Sequence, residues 1–65
     1  EDREQLHDLS RAMAALPPAL KEALVLVGAQ GLSHEEAAAV CRVPVGTMKA
    51  RVSRARAAVA RAMRH

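Results

Sequence analysis

Apolar residues recur along this chain at spacings of three and four, which is the repeat of one face of a helix. Leu6, Leu9, Met13 and Leu16 form the first such stripe, predicting a helix from Asp2 to Leu16. Pro17 and Pro18 stop it, since the ring of Pro17 lacks an amide proton and disfavours a helical conformation at Leu16. Pro18 can then open the next helix, where a missing donor costs nothing. In that second helix Leu20, Ala23, Leu24 and Val27 share a face, with Val25 and Leu26 to either side. It should therefore be buried more deeply than the first. Gly28 and Gly31 are expected to end it, with Gly31 as the left-handed cap and Leu32 folding back behind it.

Ser33, His34, Glu35, Glu36 has the pattern of a capping box, in which the serine hydroxyl accepts from the amide three residues on and the Glu36 carboxylate reaches back. A third helix then starts at about His34 and runs through Ala37, Ala38, Ala39, Val40 and Cys41, small enough for another helix to approach closely. Val43, Pro44, Val45 and Gly46 form a short break, and an uninterrupted helical pattern follows from about Gly46 to Ala62. Within it Met48, Val52, Ala55, Val59 and Ala62 define a buried seam. Thr47, Ala50, Ser53, Arg54, Ala57 and Arg61 point away, with Lys49, Arg51 and Arg56 on the flanks. The expected fold is all-α: one small four-helix domain, residues 1–65, with a C-terminal helix-turn-helix and no winged element.

Composition sharpens this picture. Fifteen of the 65 residues are Ala and none is aromatic. Alanine is the best helix former, and Ile and the aromatic residues, which favour strands, are absent. Without Phe, Tyr or Trp the chain has no platform on which to stack unpaired bases, so duplex nucleic acid is the better candidate than single strands. The net charge of +3 conceals a division. Residues 1–36 carry seven acids against Arg3, Arg11 and Lys21, a balance of −4, whereas residues 37–65 carry seven bases and no acid, a balance of +7. Such a concentration of positive charge attracts a polyanion.

A short helix, a break and a longer helix with bases near its start are the parts of a helix-turn-helix reader, whose second helix lies in the major groove. Ala50 and Ser53 are small enough to let the helix axis near the groove floor, while Lys49, Arg51 and Arg54 are long enough to reach phosphates or guanine edges. Three blocks of the chain then resemble a known family. Leu16, Pro17, Pro18, Ala19, Leu20, Lys21, Glu22, Ala23, Leu24 is similar to the opening of region 4 in bacterial sigma factors of the extracytoplasmic-function group. Gly31 through Ala38 resembles that family's next helix, and Val45 through Arg56 its recognition helix. The blocks stand in the family's order across about residues 16–62.

The resemblance implies a domain that recognises the minus-35 element of promoters and docks on the β flap of RNA polymerase core, without catalysis, cofactor or small-molecule substrate. It implies Lys49, Ala50, Arg51, Ser53 and Arg54 at or near the DNA, and Thr47 and Arg56 on its backbone. Two positions depart from the pattern. Ala50 stands where the family commonly has Ser, and Val45 offers no capping hydroxyl at the start of the helix, a loss of about 1 kcal/mol unless Thr47 or a phosphate takes the free amides. Val25 through Gly31 is most similar to the general-stress sigma factors of alphaproteobacteria, which implies an anti-sigma partner. The same likeness raises a rival, a sigma-like domain that binds the anti-sigma factor without binding DNA; the intact set Lys49, Arg51, Arg54, Arg56 favours the reader. The chain lacks an initiator Met, and a fragment of a longer protein, with region 2 elsewhere, is expected.

Other chemistry has less support. Cys41 and His34, seven apart, share a helical face, yet two ligands are too few for structural zinc, so Cys41 is taken as a packed small hydrophobe. His7, His34 and His65 are expected as exposed polar residues. Glu35 and Glu36 are adjacent and diverge by about 100 degrees around a helix, poor geometry for shared acid–base work. They suit instead the positive end of a helix dipole. The seam of the last helix lasts about two heptads, too short for a coiled coil, so it should pack within the domain. No apolar run approaches the roughly 18 residues of a membrane span, and a single cysteine fits a reducing cytoplasm.

Overall fold

The computed structural model describes residues 2–64, and of Asp2, Arg3 and Gln5 the backbone alone. Within them the protein is all-α: α1 is Asp2–Ala14, α2 is Pro18–Leu24, continued by a π-helical turn at Val25–Ala29, α3 is His34–Cys41 and α4 is Val45–Ala62. No described helix is long and apolar enough to cross a membrane.

The boundaries follow from local chemistry. α1 closes just before the proline pair, with the Ala15 amide donating to the Arg11 carbonyl at 3.1 Å and the Leu16 amide to the Met13 carbonyl at 3.1 Å. Pro17 is the N-cap of α2, and Pro18 takes its first position. At Ser33 the capping box is complete: the Ser33 hydroxyl accepts from the Glu36 amide at 3.0 Å, and the Glu36 carboxylate accepts from the Ser33 amide at 2.8 Å.

Gly28 does not end the second helix. The backbone widens there into a π turn, in which the Gln30 amide donates to the Val25 carbonyl at 2.9 Å and the Leu32 amide to the Leu26 carbonyl at 3.0 Å. One added residue per turn keeps Leu26, Val27 and Leu32 all packed against the core. Gly31 ends the segment as anticipated, at φ 73°. The break before α4 is also shorter than expected: Pro44 is the N-cap, so Val45 and Gly46 already belong to the helix.

Arg42 holds the second left-handed position, at φ 58°. Its amide donates to the Ala39 carbonyl at 3.3 Å and the Val43 amide donates to the Ala38 carbonyl at 3.0 Å. These two bonds make a Schellman cap, and Val43 packs back on the core as such caps require. A left-handed conformation costs an L side chain about 1–2 kcal/mol, and arginine has no side-chain bond here to offset it.

Met48 and Val52 of α4 pack with Ala23 of α2 and with Ala37 and Ala38 of α3 to form the centre of the core. Met48 and Val52 are the two largest fully buried side chains. Of the expected seam, Met48, Val52 and Ala55 are buried and Val59 half-buried, whereas Ala62 is exposed, lining an open pocket with Asp8, Arg11, Ala12 and Ala15. The first stripe also divides. Leu16 is buried and Met13 half-buried, but Leu6 and Leu9 are 68% and 39% exposed, since the side of α1 turned to the protein runs through the half-buried Asp8 and the buried Ala12 and Leu16. The molecule is elongated, 37 × 18 × 15 Å, and its radius of gyration of 12.1 Å lies above the about 11 Å of a compact chain of this length.

Met48→Ala should cost about 2–5 kcal/mol, enough to unfold most of a domain this small; a melting temperature close to the parent's would show that the core does not depend on it. Gly31→Ala should lose about 1 kcal/mol although open space surrounds the new methyl, and Arg42→Gly should gain up to about 1 kcal/mol. Urea titrations read both, and changes of the same sign at the two sites would contradict the left-handed geometry.

Candidate nucleic-acid interface

The turn between α3 and α4 is tight because the Schellman cap at Arg42 reverses the chain within two residues and Pro44 then fixes the start of α4. Buried alanines on α2 and α3 let α4 sit close on both. α4 is thus braced along its apolar side, and the rest of its circumference is available to a partner. Eighteen residues at about 1.5 Å each make it roughly 27 Å long.

Of the seven residues expected at DNA, Lys49, Ser53, Arg54 and Arg56 are exposed. Thr47, Ala50 and Arg51 are half-buried. Around the helix the exposed Gly46, Ser53, Ala57 and Ala60 form a shallow strip. Lys49 and Arg56 border it on one side, and Arg54 and Arg61 on the other. A strip of small residues between two cationic rims matches a polyanion that must approach the helix closely. No cation of α4 has a carboxylate partner among the described residues, whereas Arg11 on α1 pairs with Asp8 at 3.7 Å. The acids of α3 are used locally, Glu36 in the capping box and Glu35 in the first turn.

Arg54 folds back along α4, its Nε donating to the Ala50 carbonyl at 3.4 Å. Alanine at position 50 leaves that path clear. The terminal nitrogens of the guanidinium remain free for a bidentate acceptor. At the start of α4 no side chain caps the backbone, so neither Val45 nor Thr47 supplies the missing hydroxyl contact. The first amides therefore stay open to an anion, and the helix dipole adds to the attraction.

Arg42 belongs to this surface although the sequence pattern does not single it out. It is exposed on the turn that leads into α4 and carries the first positive charge of the basic half. The signal was present in its place two residues before Pro44, but its charge looked like any other until the turn geometry set it beside the helix start. His7 is exposed and His34 half-buried, the latter differing from expectation; His65 falls outside the described residues. Among the described residues no three His, Cys, Asp or Glu side chains gather in a way that could hold a metal ion.

Cys41 is half-buried and packs against the core from α3. Partial desolvation pushes its thiol above the ordinary range, the nearby Glu22 carboxylate adds to the rise, and the Arg51 guanidinium opposes it. A shallow groove of about 400 Å³ lies on α2 and the π turn, lined by Pro18, Lys21, Glu22, Val25, Leu26 and Gln30. It shares no residue with the cationic face.

The model of one protein family, described as Sigma-70, region 4, matches residues 6–59. The chain is similar to the ECF RNA polymerase sigma factor EcfG of Rhodopseudomonas palustris (strain TIE-1), 50% identical over 52 residues, which are 80% of this chain and 29% of that protein. It is similar to the ECF RNA polymerase sigma factor SigC of Mycobacterium tuberculosis, 46% identical over 56 residues, 86% of this chain and 30% of the relative. The ECF RNA polymerase sigma-E factor of Escherichia coli (strain K12) is 45% identical over 49 residues, 75% of this chain and 26% of its own. The chain spans less than a third of the length of these curated relatives.

Because the folded thiol titrates above its ordinary value, Cys41 is protonated at neutral pH and should react slowly with iodoacetamide. Its rate should climb at higher pH than that of an unfolded peptide carrying the same cysteine. A folded-state rate profile superimposable on the peptide's would contradict the environment described.

Proposed function

The chain belongs to the Sigma-70 region 4 family, and from that premise we propose that it is the promoter-reading domain of an extracytoplasmic-function RNA polymerase sigma factor. α4 enters the major groove of the minus-35 element, and α3 crosses the DNA backbone beside it. The observation that carries this reading is the exposed, acid-free face of α4, where Lys49, Ser53, Arg54 and Arg56 surround a strip of small side chains. Arg42 and the open amides at the start of α4 hold phosphates and so set the register. Ala50 and Ser53 allow close approach, and Lys49 and Arg54 reach base edges. Thr47 and Arg51, on the flank against α3, are the least available of the expected contacts.

The longer protein carries region 2 outside this chain and acts with RNA polymerase core in the cytoplasm, docking through the β flap. The groove on α2 is separate from the cationic face, so a protein bound there and a duplex on α4 do not compete for the same side chains. The likeness to EcfG, together with the segment Val25 through Gly31, supports membership of the alphaproteobacterial general-stress group and regulation by an anti-sigma factor.

A titration against duplex DNA, selected by the domain from a random library, tests the reading. Binding should weaken with salt, log affinity falling by about 0.9 per phosphate neutralised for each tenfold rise. Arg54→Ala or Lys49→Ala should cost about 1–3 kcal/mol, and relaxed preference at one base pair identifies a base contact whereas uniform loss identifies a phosphate contact. Absence of binding at low salt, with tight binding to an anti-sigma factor, would mark a decoy domain instead.

A further inference from the structure

α4 repeats its own pattern after two turns. Lys49, Val52, Ser53 and Arg54 are matched seven residues on by Arg56, Val59, Ala60 and Arg61. Seven residues fall about 20 degrees short of two full turns, so the second set lies over the same face, about 10.5 Å farther along the axis. Lys49 and Arg54 stand on opposite edges of that face, about 140 degrees apart, and Arg56 and Arg61 stand in the same relation. All four are exposed, and none has a carboxylate partner among the described residues. The two pairs differ in what lies between them. Ser53 offers a hydroxyl between the first pair, whereas the second pair encloses only Ala57 and Ala60, which read none of the hydrogen-bonding pattern on base edges. Of the second pair, Arg56 alone was expected at DNA.

We propose that α4 is divided in two: residues 49–55 read base edges, and residues 56–62 grip the duplex without reading it, with Arg61 as a phosphate contact opposite Arg56. This deepens the reading of α4 as a duplex reader and rests on it. A straight helix of 18 residues cannot follow a groove that winds around the duplex. With its first turns on the groove floor, its last turns pass the sugar–phosphate walls. A helix with its side chains is about 10–12 Å across and the major groove about 12 Å wide, so cations on opposite edges of one face come out at the phosphates of the two strands. The second pair thus supplies attraction that is independent of sequence and holds the axis of α4 in place while the first pair and Ser53 meet the bases.

The test measures binding of the parent chain, Arg61→Met, Arg61→Lys, Arg54→Met and Lys21→Met to the selected duplex and to a scrambled duplex of the same length, over a range of salt. Arg61→Met should weaken both duplexes by a similar factor, about eightfold near 0.1 M salt, and flatten the slope of log affinity against log salt by about 0.9. Arg61→Lys, which keeps the charge, should keep the parent's slope. Lys21→Met removes the same charge from the groove on α2, away from the cationic face, and should leave the slope unchanged. Arg54→Met should fall mainly on the selected duplex and shrink the ratio of the two affinities by about fivefold or more. An Arg61→Met slope equal to the parent's, or a loss in Arg61→Met confined to the selected duplex, would overturn the proposal, as would an equal loss on both duplexes in Arg54→Met. In each of those cases a parent that still prefers the selected duplex leaves the promoter reading standing, whereas a parent that binds no duplex sinks both.

Discussion

Everything in this domain hangs on the seating of Met48 and Val52 of α4 on a floor of alanines. Ala23 from α2 and Ala37 and Ala38 from α3 have no side chain to hold the helices apart, so α4 comes near both and two larger side chains fill the space between. A chain of 65 residues has little apolar surface to bury. It obtains order from close approach more than from bulk. The consequence for function is direct: a helix held on one side by small residues can present a rigid opposite side, and rigidity is what a helix inserted into a groove needs.

The charges are arranged around that same helix. Glu36 is engaged at the N-terminus of α3, Glu35 lies in its first turn, and Asp8 pairs with Arg11 on α1. α4 is left with unpaired positive charge and no acid of its own. Arg51 differs from the others in being half-buried. A surface so divided attracts a polyanion over distance, while the small residues at its centre permit contact once the polyanion arrives.

Elements governed by neighbouring residues were legible in the sequence. The Ser33–Glu36 box, the proline pair at Pro17 and Pro18 and the left-handed Gly31 all depend on bonds within a few residues, and each stands where its chemistry puts it. The exposed face of α4 was legible for a related reason, since the helical repeat alone places Lys49, Ser53, Arg54 and Arg56 away from the seam. The π turn at Val25–Ala29 was not, because one extra residue per turn leaves no mark in an apolar run and is settled by how Leu26, Val27 and Leu32 reach the core together. Arg42 was equally silent: its left-handed backbone is imposed by the reversal between two packed helices on a residue that would not choose it.

The basic amphipathic pattern and the order of capping signals, carried by the sequence alone, determined that four helices form and that the last is cationic, because helical period and cap chemistry are local. Which residues of a stripe are covered was a tertiary matter. Leu6 and Leu9 belong to the same three-and-four repeat as the buried Leu16, yet stay exposed because the side of α1 turned to the protein runs through Asp8, Ala12 and Leu16. Ala62 continues the seam of Met48, yet it lines an open pocket beside Asp8, Arg11 and Ala12 of α1 and stays exposed. Arg51 carries the same charge as Arg54 three residues on, and only tertiary packing leaves the one half-buried and the other exposed. Burial depends on what lies opposite, and a one-dimensional repeat holds no information about which side of a helix its neighbours will cover.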